Sequence, residues 1–330
     1  MRELQINGVV PIIPTPFSSD DRPDWASLKR LLNFAVGAGV SAVCLPAYAS
    51  EFYKLSDEER RDVSHEAIRL MDGRLPVLTQ VNHPSADYVA RTAHELEKAG
   101  ASGISVAVPR LFVLPERDLL RYFDRILNAI TIPLLIQDFN PGGATISADF
   151  IRTLRQNHEH FRYVKLEEPL MSEKVRAILD ATSGEVGVLE GWGGIYMLEL
   201  IRAGICGIMP GLAISDVLQI VWNKTRDGDV DGAFTLFQSV LPQITYSLQN
   251  MEFYHHAEKA LLVKRGILSQ AIVREATLTL STDDLAHIEF LNRQIVEALQ
   301  RFGLQVRPCC DTSTVEKGSM LAMNKSPNLN

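Results

Sequence analysis

Cysteine is scarce in this sequence, and its few positions exclude two common kinds of site. The 330 residues contain four cysteines. Cys44 and Cys206 lie in apolar, strand-like runs, and Cys309 and Cys310 are adjacent near the end. This number and spacing build neither a disulfide framework nor a CxxC metal pair. We therefore predict that Cys44 and Cys206 are small buried hydrophobic residues.

Long apolar runs and an excess of positive charge are also missing. The opening MRELQINGVV is charged and lacks the long apolar core of a signal peptide. No stretch approaches the roughly 18 uninterrupted apolar residues of a membrane span. The 33 Lys and Arg are outnumbered by 40 Asp and Glu, so the net charge of −7 gives no general attraction for nucleic acid or anionic lipid. We predict a cytoplasmic protein that binds neither nucleic acid nor membrane.

Cofactor motifs are absent as well. The sequence contains no P-loop and no G-x-G-x-x-G fingerprint, and GWGGIYMLE has the spacing of neither. His255 and His256 are adjacent, so on a helix they point about 100° apart, and they lack carboxylate or cysteine partners at i+4; we predict surface or bundle packing in place of metal binding. The sequence predicts no nucleotide, metal or organic cofactor.

What the sequence does contain is a regular alternation of short apolar runs and amphipathic stretches. Near-continuous apolar strands joined by helices indicate a parallel sheet whose outer face is covered. Eight such units match an α/β fold of the (β/α)8 TIM barrel type, whose usual size is roughly 250 residues. Ser56 and Glu59 form an S-x-x-E capping box, and Gly39, Gly100 and Gly204 stand where helices should end. The eight runs are VVPIIPTPF, VSAVCLPA, LPVLTQV, ASGISVAVP, IPLLIQD, FRYVKL, VGVLEG and CGIMPG.

From about Ser215 to Phe302 the pattern becomes wholly helical. We predict that the barrel spans residues 1–228, including its eighth helix, and that a C-terminal helical bundle at 229–304 packs on the barrel. Residues 305–330 are polar and aperiodic, so we predict a disordered tail.

The stretch FRYVKLEEP, residues 161 to 169, places a single lysine at the end of the sixth strand. Barrels of this kind draw their active-site residues from the C-terminal ends of the strands. Lys165 points toward the barrel mouth if Val164 and Leu166 point toward the helices. A buried lysine can be held as a neutral amine that attacks a ketone. The alternative interpretation is a strand-terminal cation paired with Glu167 or Glu168.

Five segments together carry a family resemblance: GVVPIIPTPF at 8–17, SEFYKLSDEER at 50–60, PLLIQD at 133–138, YVKLEEP at 163–169 and AEKALLVKRGIL at 257–268. They resemble the dihydrodipicolinate synthase and N-acetylneuraminate lyase family of class I aldolases, over residues 7 to 300. The resemblance implies a (β/α)8 barrel with a C-terminal helical extension. It also implies a Schiff base between Lys165 and pyruvate or another 2-oxo acid, and a homodimer or homotetramer.

The sequence departs from the synthase pattern after strands four and five. Better-known members carry Tyr-Asn-x-Pro at the end of strand five, where the tyrosine relays protons. Here the segment is QDFNP, with Gln137 or Asp138 in the place of the tyrosine and no phenol. The arginine that grips a second carboxylate is missing from GGATIS at 142–147, and PRLF at 109–112 replaces the tyrosine expected after strand four. These departures disfavour lysine-biosynthetic condensation.

Other positions look more like the subgroup that dehydrates 2-keto-3-deoxy sugar acids, such as the 2-keto-3-deoxyarabonate dehydratases. These positions are Gln-Asp at strand five, Ser-Glu at 50–51 and Lys-x-Glu at strand six. An iminium at C2 would let a base remove a C3 proton, and the resulting enamine would expel the C4 hydroxyl. If the base instead took the proton of the C4 hydroxyl, the enzyme would be a pyruvate-releasing aldolase. A third alternative is a catalytically inactive barrel used as a scaffold.

The candidate catalytic residues are Lys165, Gln137 and Asp138. Asp138 or Glu51 is a candidate for the second base, and for each the alternative role is a helix cap or a supporting hydrogen bond.

Backbone amides after strand two, with the Ser50 hydroxyl, are candidates to hold the 1-carboxylate of the substrate. The other interpretation of this stretch is a plain loop with a capping serine. Tyr48 is an alternative source of the missing phenol. The predicted substrate-binding residues are Tyr48, Ala49, Ser50, Glu51, Gly191, Met209 and Pro210.

Overall fold

The computed structural model describes residues 4–140 and 145–306. Pro141, Cys309, Cys310 and almost all of the predicted tail therefore lie outside the described residues. The strands are β1 (Gly8–Val9), β2 (Val43–Cys44), β3 (Val77–Gln80), β4 (Gly103–Ala107), β5 (Leu134–Phe139), β6 (Phe161–Glu167), β7 (Gly187–Glu190) and β8 (Gly207–Ile208). The helices that alternate with them are α1 (Trp25–Gly37), α2 (Asp57–Met71), α3 (Ala86–Ala99), α4 (Glu116–Leu127), α5 (Ala148–Asn157), α6 (Met171–Ala181), α7 (Met197–Ala203) and α8 (Ser215–Arg226).

The eight strands form one parallel sheet in the order β1-β8-β7-β6-β5-β4-β3-β2. The strands β1 and β2 lie at the two edges of this sheet, and hydrogen bonds between residues 9–11 and 41–44 join these edges. The Ser41 amide donates to the Val9 carbonyl at 2.8 Å, and the Cys44 amide donates to the Pro11 carbonyl at 3.0 Å. The predicted (β/α)8 barrel is confirmed.

Local sequence signals account for the helix ends. The predicted capping box is present: the Glu59 amide donates to Ser56 Oγ, and the Glu59 carboxylate accepts from the Ser56 amide. Gly100 and Gly204 end α3 and α7 with φ of 106° and 102°, which are left-handed values that a side chain disfavours.

Side chains on the strands alternate between two apolar layers, and this alternation positions the site. Val164 and Leu166 belong to the layer between the sheet and the helices. Tyr163 belongs to the layer inside the barrel, so Lys165 and Glu167 also point inward, as the sequence predicted. Cys44 is buried in the inner layer as predicted, whereas Cys206 is only partly buried. β6 extends two residues past Lys165, so the lysine lies within the strand and not at its end.

The chain continues into α9 (Val230–Gln238), α10 (Leu241–Ser247), α11 (Met251–Lys264) and α12 (Thr282–Arg301). Leu236, Ile244, Leu261 and Leu299 belong to the same apolar cluster as the barrel helices, so these helices pack directly on the barrel. The division at residue 228 and the disordered tail stay predictions. Across 4–140 and 145–306, no helix combines the length and apolar content needed to cross a membrane.

Candidate active site

A cavity of about 370 Å³ opens at the C-terminal end of the barrel strands. The ends of β5, β6 and β7 and the loop after β2 form its floor and walls, and the turn between α10 and α11 covers one side. A depression of about 460 Å³ at the opposite end is bounded by Leu4, Pro133 and His160, among others, and contains no lysine. The first cavity is lined by Ile12, Tyr48, Ala49, Gln137, Phe139, Lys165, Glu167, Gly191, Trp192, Gly193, Met209, Pro210, Gly211, Leu248, Gln249, Asn250, Met251 and Tyr254.

Lys165 and Glu167 form a buried pair at the bottom of this cavity. Lys165 Nζ lies 2.8 Å from Glu167 Oε1, and each residue is 7% exposed. They face the same way because residues two apart on a strand share one face. The amine therefore has both a cavity beside it and a proton acceptor in contact with it. The sequence indicated Glu167 only as an ion-pair partner of Lys165 and as part of the Lys-x-Glu resemblance, and that spacing is the signal for this arrangement.

Gln137 orients the Glu167 carboxylate. It stands opposite Lys165 in the register of β5 and β6. Its Nε2 donates to Glu167 Oε1 at 2.7 Å, and Gln80 Nε2 donates to Gln137 Oε1. An amide does not titrate at physiological pH. Gln137 can thus hold the carboxylate but cannot exchange protons as a phenol does.

Asp138 does not reach the cavity. The strand alternation directs it outward, where it pairs with the Arg110 guanidinium and its Oδ2 accepts from the Ile146 amide at 2.8 Å. Burial raises the pKa of Asp138, and the Arg110 hydrogen bond opposes that shift. Of the two residues considered for the place of the tyrosine, the structure brings only Gln137 to Lys165.

The loop after β2 divides into cavity residues and anchoring residues. Tyr48 and Ala49 line the cavity, and within 4–140 and 145–306 neither backbone amide has a hydrogen-bond acceptor. Ser50 Oγ instead donates to the Ile13 carbonyl at 2.6 Å. Glu51 is held by Lys259 Nζ at 2.5 Å, away from the cavity. The Ser50 hydroxyl and the Glu51 carboxylate therefore fasten the loop, and the free amides are left for an anionic ligand.

The end of β7 lies against the lysine. A Cβ on Gly191 would stand 2.4 Å from Glu167 Cγ and 2.8 Å from Lys165 Cε, so only glycine fits there. Glu190 Oε2 accepts from the Gly194 amide at 2.7 Å and holds the following turn in place. Met209 and Pro210, as predicted for the binding set, line the same cavity.

The bundle contributes cavity residues that sequence reasoning missed. Residues 248–251 and Tyr254 line the part of the cavity that the bundle covers. Nothing in the local pattern of α10 and α11 distinguishes these residues from ordinary helix-packing residues, because their role depends on where the bundle docks. The Tyr254 hydroxyl and the Trp192 indole nitrogen have no hydrogen-bond partner among the described residues.

Charge in the cavity is limited to one pair. Of the described residues that line it, only Lys165 and Glu167 belong to the basic and acidic types Lys, Arg, Asp and Glu. Burial raises the pKa of the Tyr48 phenol, and the charge of Glu167 adds to that shift. His255 lies outside the cavity, where Nε2 shares a hydrogen bond with the Tyr53 hydroxyl at 3.0 Å. Over the described ranges, no group of three or more His, Cys, Asp or Glu side chains could hold a metal ion.

Comparisons with known proteins agree with this geometry. A family model described as the dihydrodipicolinate synthetase family matches residues 5–295. An L-2-keto-3-deoxyarabonate dehydratase from Azospirillum brasilense is 27% identical over 292 residues, covering 87% of this chain and 94% of the relative. A protein named "Probable 2-dehydro-3-deoxy-D-pentonate aldolase YjhH", from Escherichia coli K12, is 25% identical over 243 residues, covering 72% of this chain and 80% of its own. A crystal structure of dihydrodipicolinate synthase from Rhodopseudomonas palustris superposes with a TM-score of 0.82 at 25% identity, covering 89% of this chain and 99% of that one.

Proposed function

Because the chain belongs to the dihydrodipicolinate synthetase family of Schiff-base lyases, we propose that it dehydrates a 2-keto-3-deoxy sugar acid. The observation that carries the proposal is the contact between Lys165 Nζ and Glu167 Oε1 at 2.8 Å, inside a cavity with no second cation among its described residues. The similarity to the Azospirillum dehydratase supports the same substrate class.

The first steps use the free amides of the loop after β2 and the Lys165–Glu167 pair. The amides of Tyr48 and Ala49 bind the 1-carboxylate of the substrate, which places the C2 carbonyl over Lys165. The Lys165 amine then attacks C2, and loss of water gives an iminium. Glu167 lies within hydrogen-bond distance of the nitrogen, so it is closer to C3 than to any atom farther along the substrate. Glu167 therefore removes the C3 proton, and an enamine forms.

Elimination follows from the enamine. Its electrons re-form the iminium, now conjugated with a C3–C4 double bond, while the C4–O bond breaks and the hydroxyl takes up one proton and leaves as water. The proton removed from C3 balances the proton taken up. Hydrolysis of the conjugated iminium returns the Lys165 amine and releases a product that is one water lighter than the substrate.

Condensation of the synthase type fits the cavity poorly. A second dicarboxylate or amino-acid substrate would need a cation to bind its carboxylate, and Arg110 is already paired with Asp138 outside the cavity. A substrate with a single carboxylate and a hydroxylated tail requires no such cation.

Aldol cleavage is the second candidate, supported by the similarity to the Escherichia coli aldolase. It needs a base at the C4 hydroxyl in place of a base at C3, and the Tyr48 phenol is a group in the cavity that could take that role. The two reactions differ in product, since cleavage releases pyruvate and dehydration does not. The scaffold alternative has no support, because burying a charged pair beside an open cavity has no structural benefit.

The test uses 2-keto-3-deoxy-pentonate with the purified protein. We expect mass spectrometry to show a product one water lighter, and a lactate dehydrogenase assay to show no pyruvate. Borohydride added during turnover should leave a stable adduct in the wild type and none in Lys165→Ala. The exposed Lys98→Ala variant is the matched control and should form the adduct normally. Pyruvate release would favour the aldolase, and absence of any adduct would refute both reactions.

We also propose that the protein is a homodimer or homotetramer. The loop after β4 exposes four consecutive apolar residues, Leu111 to Leu114, with exposed fractions of 72%, 76%, 100% and 44%. A contiguous apolar segment of this kind is costly to leave in water and is typical of a protein interface.

A further inference from the structure

The bundle brings a second phenol to the cavity. Tyr254 on α11 is 8% exposed and lines the cavity that holds Lys165. Its hydroxyl oxygen is buried and has no hydrogen-bond partner among the described residues, so it is an unsatisfied polar group beside the cavity of the proposed reaction. Burial raises the pKa of this phenol well above its ordinary value, which keeps it a neutral hydrogen-bond donor.

A buried carboxyl group lies behind this phenol. Glu258 is one helical turn after Tyr254, on the same face of α11, and is 6% exposed. Its Oε1 accepts from the Ala213 amide at 2.7 Å. The nearby Arg265 guanidinium is engaged with Asp216 at 2.6 Å, and no described Lys or Arg forms an ion pair with Glu258. Burial raises the pKa of Glu258 to about 7, so the group holds a proton in part of the molecules at neutral pH.

The two side chains converge on one glycine. A Cβ on Gly211 would stand 2.4 Å from the Tyr254 hydroxyl oxygen and 2.6 Å from Glu258 Oε2. The two oxygens are therefore at most about 5 Å apart, a separation that one water molecule can bridge. A small cavity of about 20 Å³ borders both residues and also the unpartnered Gln243 Oε1. This volume is large enough for one water, and Tyr254, Glu258 and Gln243 supply the polar partners that a water needs.

We propose that Tyr254 is the catalytic acid of the elimination step and that Glu258, acting through Tyr254, supplies its proton. This inference rests on the dehydratase function proposed above. As the C4–O bond breaks, the Tyr254 hydroxyl gives its proton to the departing oxygen, and water leaves. The phenolate takes a proton from Glu258 directly or through one water, and Glu258 is later reprotonated from solvent. The proton that Glu167 removed from C3 returns to solvent, so one water is lost per substrate and no net proton is consumed.

Tyr48 is the other phenol in the cavity and is less suited to this step. Its ring packs against Phe52 and Phe139, with centroids 4.9 Å and 6.1 Å away. The ionisable group that influences it is Glu167, the base of the first step. Among the described residues, the acid that influences Tyr48 is Glu167 itself, which the first step already uses, so no separate carboxyl group is placed to restore a proton to Tyr48.

The test separates enamine formation from elimination. Pyruvate has no C4 hydroxyl, so exchange of its methyl protons in D₂O, followed by NMR, reports only the steps at Lys165 and Glu167. Dehydration of 2-keto-3-deoxy-pentonate reports the complete reaction. In Tyr254→Phe we expect pyruvate exchange at the wild-type rate and a kcat for dehydration about 10²-fold lower, the usual contribution of a general acid. KM should change little.

Two further variants distinguish the proton relay from a structural role. In the wild type, kcat should fall as the pH rises through about 7, because Glu258 must be protonated to act. Glu258→Gln keeps an acceptor for the Ala213 amide but should lower kcat and abolish this alkaline limb. Tyr246→Phe, a bundle tyrosine outside the cavity, should leave both assays unchanged.

Failure of the proton relay and failure of the proposed dehydratase function give different results in these assays. Normal dehydration by Tyr254→Phe, or an alkaline limb retained in Glu258→Gln, would refute the relay while leaving the dehydratase function intact. Equal loss of exchange and dehydration in Tyr254→Phe would also refute it, since the phenol would then act before elimination. A wild-type protein that neither exchanges pyruvate protons nor dehydrates the sugar acid would overturn the proposed function itself.

Discussion

At the level of single residues, the site depends on how closely neighbours approach Lys165. Glu167 contacts its nitrogen, Gln137 holds Glu167, and Gly191 covers the aliphatic part of the lysine. The position of the reactive nitrogen thus follows from packing on three adjacent strands as well as from its own burial. Small displacements at these positions should affect the chemistry before they affect the fold.

Gly191→Ala tests this dependence. The new Cβ would stand 2.4 Å from Glu167 Cγ and 2.8 Å from Lys165 Cε, so both side chains must move. We expect borohydride trapping with pyruvate to slow about 10²-fold, the effect of a displacement of roughly 1 Å at a reacting group. Gly37→Ala is the control. Gly37 lies on the exposed face of α1, and a Cβ there would meet no atom within 4 Å apart from its chain neighbours and its own helix backbone, so this variant should trap pyruvate at the normal rate. Equal trapping rates in the two variants would show that the contact does not position the lysine.

At the level of elements, one buried charge joins the loop after β2 to the bundle. Glu51 adopts a left-handed conformation with φ of 60° between the 3₁₀ turns Tyr48–Ser50 and Phe52–Lys54. Its Oε1 accepts from Lys259 on α11 at 2.5 Å, and its Oε2 accepts from the Arg274 amide at 3.0 Å. Burial lowers the pKa of Lys259 to about 8, and the Glu51 charge opposes this shift. The loop that presents the Tyr48 and Ala49 amides is therefore fastened to α11.

Removing the Glu51 charge should loosen this connection. Glu51→Gln leaves the Lys259 ammonium buried without an anion, so we expect the free energy of unfolding to fall by about 3–5 kcal/mol. Urea denaturation measures this loss, and the double variant Glu51→Gln with Lys259→Met should recover part of it. Glu289→Gln breaks the solvent-exposed pair with Lys264, and there we expect about 1 kcal/mol or less. A similar small loss at Glu51 would mean that the buried pair does not hold the loop.

At the level of the whole molecule, the apolar segment Leu111–Leu114 lies near the cavity without being part of it. A second cavity of about 440 Å³ extends from Tyr48 and Phe139, which line the active-site cavity, to Arg110 and Leu111. Contact between copies of the chain at this loop would therefore take place beside the active-site cavity.

Phe112→Asp tests the proposed oligomer. A charge in the centre of an apolar interface leaves a buried carboxylate without a partner, so we expect the assembly to dissociate. Sedimentation velocity would then show a single smaller species. Phe234→Asp on α9 changes another exposed phenylalanine, 52% exposed, and should not alter the sedimentation coefficient. If Phe112→Asp also sediments as the wild type does, the interface lies elsewhere or the protein is a monomer.

The sequence by itself determined the barrel, the inward direction of Lys165 and the ends of several helices. The barrel followed from the repeated alternation of strands and helices along the chain. The other two depend on neighbours within a few positions: alternation along a strand turns Lys165 and Glu167 to one side, and the Ser56–Glu59 box begins α2. Only the tertiary structure decided that Gln137 faces the lysine while Asp138 pairs with Arg110, and that Ser50 and Glu51 anchor the loop. It also brought Tyr254 to the cavity, with Glu258 behind it, from a helix more than eighty residues after Lys165. These contacts join segments far apart in the chain, and they form only when the bundle docks on the barrel, so no local pattern of residues encodes them.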